Sequence, residues 1–277
     1  MESVERTTPR ELADIIVIDH ESDDGETLAY LAELRQRHRV ISAVGPFNFA
    51  AINNAAVAEV RGPYSHYLFL NNDTAAPEAG WLEHMLGLGC RADVGVVGAT
   101  LIYPDNAIQH AGIVVGLLGG ADHAFRGRPF SRNYFEREPG ENCDLISTRD
   151  YSAVTAACLL IRADVFDAVN GFDEGFAVGF NDVDLCLRVR AKGWKVLRDA
   201  QAVSIHYESQ SRGTADRHPA DTQRFQERYA ELLRAGDPFT SPLLDPDPRM
   251  NVLIPRLKCP AAVLFRTVEV RCPSSAS

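Results

Sequence analysis

Residues 66–73 read HYLFLNND. Tyr67, Leu68, Phe69 and Leu70 form a short apolar run without alternation, the pattern of a strand buried on both faces. The run stops abruptly at Asn71, Asn72 and Asp73. In open α/β sheets, ligands collect at the carboxyl ends of the strands. An acid there, followed by Thr74, is placed to hold a divalent cation, because hard cations prefer oxygen ligands. The same residues also read as an Asx turn closing a buried strand. Spacing alone leaves both readings open.

Outward from this run, strand and helix patterns alternate. Strands are predicted at 15–19, 40–44, 67–70, 94–98, 99–103, 156–161 and 202–205. Helices are predicted at 26–37, 48–60, 79–88 and 163–169, with Asn48 as an N-cap. Alternation of this kind means an α/β fold with a mostly parallel sheet covered by helices. The stretch 121–150 mixes Arg, Pro, Asn and Glu and reads as a long polar loop.

A second acidic signal is GFDEGFAVGFNDVDLCLRVRAKGW at 171–194. Asp182 and Asp184 stand at the mouth of a helix that Gly193 ends. A carboxylate there suits the positive end of the helix dipole and can cap the helix. That placement predicts a depressed pKa and an ionised side chain able to accept a proton. Capping alone is the competing reading. Two acids one residue apart, just after a glycine-rich loop, favour a site.

Composition narrows the function classes. The 277-residue chain has a net charge of -10, which disfavours nucleic acid as a partner. Its 45% hydrophobic and 24% charged residues are ordinary for a globular domain with a sizeable core. No apolar stretch approaches the ~20 residues of a membrane span, and no secretory signal opens the chain. The cysteines show no CxxC pairing, and Cys158 and Cys186 sit in apolar surroundings. A reduced cytoplasm is expected, with peripheral association at the inner face of the membrane compatible with it.

Taken together, the segments resemble the family 2 glycosyltransferases, particularly their rhamnosyltransferase-like group. The matching runs are IIVIDHESDD (15–24), GPFNFAAINNAAVAEVRG (45–62), YLFLNND (67–73), WLEHMLG (81–87), VGVVGATLIYPDNAIQHAG (94–112), YSAVTAACLLIR (151–162), NGFDEGFAVGFNDVDLCLRVRAKGW (170–194) and HYESQSRG (206–213). They follow the family's order over about residues 2–245. The resemblance implies the A-type glycosyltransferase fold, a Rossmann-like α/β/α sandwich, over a domain at 1–250, with 251–277 left as an unassigned tail. It implies an inverting transfer from a nucleotide diphosphate sugar to a saccharide or lipid-linked saccharide acceptor, in the synthesis of bacterial surface polysaccharide.

The resemblance also implies roles for single residues. Asp73 stands at the last position of the family's Asp-x-Asp motif, with Asn71 and Asn72 in place of acids; it would hold Mg²⁺ or Mn²⁺ together with His206. Taken by itself, His206 reads as readily as a structural histidine. Asp19 stands where the family contacts the nucleotide base, followed by Ser22 and Asp24, while His20 and Glu21 depart from the pattern. Asn54 and Asn72 fall near the nucleotide. Asp182 takes the place of the general base, with Asn181 replacing the family's Glu, and Asp184 reads as structural. Asp173 and Glu174 would meet acceptor hydroxyls.

The N-terminus departs from the family. MESVERTTPRELADIIVID resembles the end of a first helix running into the second strand, so the family's first strand is missing. That absence predicts an open ladder in mid-sheet and low stability. It motivates an alternative function, a non-catalytic remnant or nucleotide-sugar-binding module. A nucleotidyltransferase of similar fold would need a basic, glycine-rich phosphate loop near the start, which the chain lacks.

Overall fold

The computed structural model describes residues 1–131, 133–137, 139, 143–207 and 218–240. The tail at 251–277, the end of the 1–250 domain and most of the 206–213 run lie outside the described residues.

The chain opens with α1 (Glu2–Thr7), β1 (Ile16–His20), α2 (Gly25–Leu34), β2 (Arg39–Ala43), α3 (Phe49–Val60) and β3 (His66–Leu70). Caps explain where the helices start: Asn48, as expected, accepts from the Ala51 N–H, and Asp24, not read as a cap from the sequence, accepts from the Thr27 N–H. Next come β4 (Thr74–Ala75), α4 (Trp81–Gly89), β5 (Val94–Ile102), β6 (Ile108–His110), β7 (Ile113–Val115), β8 (Ala121–His123) and β9 (Arg149–Asp150). The last elements are β10 (Cys158–Arg162), α5 (Ala163–Ala168), α6 (Asn181–Ala191), β11 (Lys195–His206), α7 (Pro219–Arg228) and α8 (Ala230–Ala235).

The fold is α/β with a mixed sheet, but its pairings are chiefly antiparallel, which corrects the mostly parallel expectation. The main sheet runs β3-β10-β5-β11-β4, with β6 on β5 and β9 on β11. β3, β5 and β11 share one direction, as alternation with helices predicts; β5 and β11 pair in parallel. β10 runs against both β3 and β5 and lies between them. One reversed strand thus converts two adjacencies at once. The chain reaches β10 only after the long excursion through β6–β9, so local periodicity does not reveal its direction.

Two further expectations are corrected. The two strands predicted around Gly98 are one nine-residue strand, β5, buried along its whole length. Gly98 is there for contact rather than for a turn: a Cβ on it would lie 2.5 Å from Val154 Cβ. The stretch 121–150, read as a polar loop, carries β8 and β9 and buries Phe125, Phe130 and Leu145 in a cluster with Ile102, Ile108 and Tyr151. Its polar residues mask those anchors because Arg137 and Asp144 are buried as well.

β1 and β2 form their own parallel pair, and no ladder joins β1 to β3. Among the described residues the β1-β2 pair and the main sheet are therefore separate sheets. Tyr64 bridges the break near its base, donating from its hydroxyl to Asp14 Oδ2 at 2.7 Å.

Candidate active site

β3 delivers Asn71–Asp73 to its carboxyl end, and the chain then turns directly into β4. The turn closes on itself, with both the Thr74 N–H and hydroxyl donating to Asn71 O. The acceptor is the Asn71 main-chain carbonyl, so this is a β-turn and not the Asx turn expected, and it coexists with an open acid. β4 pairs with the end of β11, His206 opposite Thr74. That register brings His206 Nε2 to 3.0 Å from Asp73 Oδ1. The His206 side chain is 7% exposed and the Asp73 side chain 41% exposed. One carboxylate and one imidazole, arriving from separate strands, therefore meet at the sheet's carboxyl edge. Such an oxygen–nitrogen pair fits Mn²⁺ or Mg²⁺ as part of a shell that a diphosphate would complete. Among the described residues no group of three or more His, Cys, Asp or Glu side chains is placed to hold a metal.

Asp182 lies across the start of β10 from this pair. Asn71 donates its N–H to Ala157 O at 3.0 Å, and Ala156 donates its N–H to Asp182 Oδ2 at 3.1 Å. Two neighbouring peptides thus join the acidic strand end to the α6 acid. Asp182 does not cap α6. Phe180, in the left-handed region at φ 61, occupies the cap position without a side-chain bond. Nor is the Asp182 pKa depressed: desolvation raises it, against hydrogen bonds from Ala156, Thr155 and Val183 that lower it. Burial of the carboxyl outweighs the helix dipole that predicted a depressed value. Asp182 as a residue is half-buried.

Asp184, one turn-face away, is fully buried and structural, as expected. It accepts from Arg188 Nε, Arg228 Nη1 and the Tyr229 hydroxyl, each at 2.7 Å. Sequence reasoning missed Arg228 and Tyr229, whose place in this network depends on α7 folding back onto α6.

The expected acceptor residues, Asp173 and Glu174, both have partners within the chain. Asp173 Oδ2 pairs with Arg228 Nη1 at 2.6 Å, and its Oδ1 accepts from the Gly175 N–H. Burial pushes the Asp173 carboxyl up, but the Gly175 N–H and the Arg228 and Arg224 charges outweigh it, and the net shift is downward. Glu174 Oε1 accepts from Asn54 Nδ2 at 3.1 Å. Asn54 also bonds the Phe172 carbonyl and N–H, so it pins the 171–176 loop to α3. The structure therefore brings Asn54 to Glu174 and not to Asp73.

Asp19, the last residue but one of β1, accepts from the Ser22 N–H at 3.2 Å and lies 3.7 Å from Arg35. His20 and Glu21, the departures from the family pattern, both bind Gly45: His20 Nε2 is 2.9 Å from its carbonyl, and Glu21 accepts from its N–H. They tie the β1 turn to the end of β2. Asn72 is exposed beside Asp73. Among the described residues no helix is long and apolar enough to cross a membrane.

No protein-family model matches the chain. It is 39% identical over 240 residues to the uncharacterized protein y4gI of Sinorhizobium fredii (strain NBRC 101917 / NGR234), a match covering 84% of the chain and 25% of the relative. It is 37% identical over 237 residues to the O-antigen biosynthesis protein RfbC of Myxococcus xanthus, covering 83% of the chain and 18% of the relative. Over 120 residues it is 30% identical to an N-acetylglucosaminyl-diphospho-decaprenol L-rhamnosyltransferase of Mycobacterium tuberculosis, covering 43% of the chain and 39% of the relative. The chain thus spans a quarter or less of the first two relatives' length. Among solved structures, it superposes on GalNAc-T7 with UDP, GalNAc and Mn²⁺ at TM-score 0.57 and 13% identity, covering 88% of the chain and 55% of that protein. The mannosyltransferase PcManGT of Pyrobaculum calidifontis, in complex with GDP-Man and Mn²⁺, gives TM-score 0.55 at 13% identity, covering 84% of the chain and 59% of that protein. At such identity the likeness is one of fold, the A-type glycosyltransferase fold.

Proposed function

We propose that this chain, which belongs to the rhamnosyltransferase-like group of the family 2 glycosyltransferases, moves a sugar from a nucleotide diphosphate sugar to an acceptor hydroxyl with inversion, in bacterial surface polysaccharide synthesis. The observation that carries the reading is the arrangement of Asp73, His206 and Asp182 about the start of β10. The names of the relatives from Myxococcus and Mycobacterium support the polysaccharide setting.

Asp73 and His206 would hold Mg²⁺ or Mn²⁺. When bound, the cation neutralises the charge that develops on the diphosphate leaving group. Asn72 and the Asp19–Ser22 turn would bind the nucleotide. Asp182 takes the proton of the acceptor hydroxyl as that oxygen attacks the anomeric carbon from the face opposite the phosphate, so one displacement inverts the configuration. The two N–H groups held by Asp182, from Ala156 and Val183, fix the carboxylate in place and leave lone pairs for that proton. Asp173 and Glu174 would bear on the acceptor through the loop they hold. No membrane span is needed: the chain would work in the cytoplasm, with a lipid-linked acceptor presented at the inner face of the membrane.

The break between β1 and β3 supports a second reading, a module that binds nucleotide sugars without turnover. Incubating the purified chain with UDP-, GDP- and dTDP-sugars, Mn²⁺ and a polyprenyl-diphosphate saccharide separates the two. Released nucleoside diphosphate with an inverted glycoside product is expected. Tight nucleotide binding without release would establish the binding module instead.

A further inference from the structure

The residue before α6 is strained. Phe180 takes φ 61 and ψ 6, in the left-handed region that a bulky side chain rarely adopts, and it caps α6 without a side-chain bond. Such a conformation persists only where the surrounding structure over-determines it. Here that structure is α7. Asp221, in the first turn of α7, is 7% exposed. Its Oδ2 accepts from the two successive peptides that lead into Phe180, the Val178 N–H at 3.1 Å and the Gly179 N–H at 2.8 Å. One turn further along α7, the fully buried Phe225 ring stacks on the Phe180 ring, with centroids 4.5 Å apart and planes 15° from parallel.

Asp182 stands two residues beyond Phe180. Its Oδ1 accepts from the Val183 N–H of its own helix, and its Oδ2 from the Ala156 N–H just before β10. The second bond sets the carboxylate against the start of β10, and it depends on where α6 begins. A rotation at Phe180 would swing the first turn of α6, and Asp182 with it, away from Ala156.

Asp221 is not needed merely to join α7 to α6. Arg228 and Tyr229, at the other end of α7, already do so through Asp184, and Phe225 packs in one core cluster with Val183, Leu185 and Val189. What Asp221 adds is a grip on the peptides entering Phe180. A carboxylate suits that task, because N–H bonds to an ionised acceptor are roughly twice as strong as neutral ones.

We propose that Asp221 is a positioning residue for Asp182: by holding the Val178 and Gly179 N–H groups it fixes the left-handed geometry at Phe180, and so the point at which α6 delivers the Asp182 carboxylate to Ala156. A catalytic group displaced by about 1 Å loses on the order of 100-fold in rate. The inference rests on the reading of Asp182 as the base.

Amide hydrogen exchange tests the placement without turnover. In Asp221→Ala the Ala156 N–H should exchange at least ~10-fold faster than in the parent, while Leu160 inside β10 keeps its rate. An unchanged Ala156 rate, or a speeding of both amides together, overturns the proposal. Asp221→Asn keeps an acceptor oxygen and loses the charge, so Ala156 alone should speed up by a smaller factor. It carries the test if Asp221→Ala does not fold, and no selective change at Ala156 then overturns the proposal.

Kinetics test the consequence, with UDP-, GDP- and dTDP-sugars offered together with Mn²⁺ and a polyprenyl-diphosphate saccharide. Asp221→Ala should lower kcat by about 100-fold at an unchanged donor KM. Almost none of that loss should remain when the substitution is made in Asp182→Asn, because both act on one group. Losses that add in full overturn the proposal. Asp182→Asn alone separates the two levels. If that variant turns over as the parent does, the reading of Asp182 as the base is wrong; if it loses turnover while Asp221→Ala does not, only the positioning role falls.

Discussion

Asp73 and His206 are 133 residues apart in the chain and touch at 3.0 Å. The contact is a consequence of register: β4 pairs with β11 so that Thr74 faces His206, and the residue before Thr74 is then within reach of the imidazole. We expect Asp73→Ala and His206→Ala each to weaken metal-supported nucleotide binding, and excess EDTA to abolish transfer. Calorimetry with nucleotide and Mn²⁺ reads the first, and product formation the second. Full activity in EDTA would remove the cation from the mechanism.

Asp182→Asn keeps the shape of the side chain and removes its basicity. Transfer should fall by more than about 100-fold while donor binding stays within a few-fold, because the loss belongs to the proton-transfer step. Turnover within tenfold of the parent would pass the role of base to another group.

The pH dependence follows from the raised Asp182 pKa. As the proposed base, Asp182 must be ionised, so the acid limb of kcat should lie above the ordinary 3.8 of an aspartate. Stability runs the other way. A group with a raised folded pKa contributes stability that is present below 3.8 and lost as pH rises through the folded value. Asp182→Asn should therefore gain stability relative to the parent as pH rises above 3.8, read from thermal melts at a series of pH values. A relative loss over that range would contradict the burial argument.

Asp184→Ala should be strongly destabilising. It leaves Arg188, Arg228 and Tyr229 without the carboxylate they share in a fully buried position. Breaking a buried charge pair costs about 3–5 kcal/mol, and the partial exposure of both arginines puts the expectation at the lower end. A denaturation midpoint equal to the parent's would show that α6 and α7 are held together by other contacts.

Gly171→Ala should loosen the loop that Asn54 pins. Gly171 has φ +67, and a Cβ there would lie 2.6 Å from Asn54 Oδ1. Strain of this kind costs about 1–3 kcal/mol. A combined Gly171→Ala, Asn54→Ala variant should show less than the sum of the single losses, since both act on one contact. Strict additivity would separate them.

What the amino-acid sequence determined by itself was local. The apolar run Tyr67–Leu70, with its polar stop at Asn71, marked a buried strand and its carboxyl end. Asn48 marked the start of α3. These readings were legible because periodicity, caps and turn chemistry act over a few residues and are written in consecutive side chains; the A-type glycosyltransferase fold was implied by the resemblance of the ordered runs to the family 2 glycosyltransferases. Three outcomes belonged to the tertiary structure. β10 reversed between β3 and β5, because a strand's direction is decided by where a long excursion re-enters the sheet. The helix-mouth position of Asp182 suggested a lowered pKa, yet burial against the β10 start raised it, because desolvation comes from neighbours distant in sequence. And the protein partners of Asp173, Glu174 and Asn54, namely Arg228 and one another, were decided by the tertiary structure, because α3 and α7 close on the 171–176 loop only once the chain has folded.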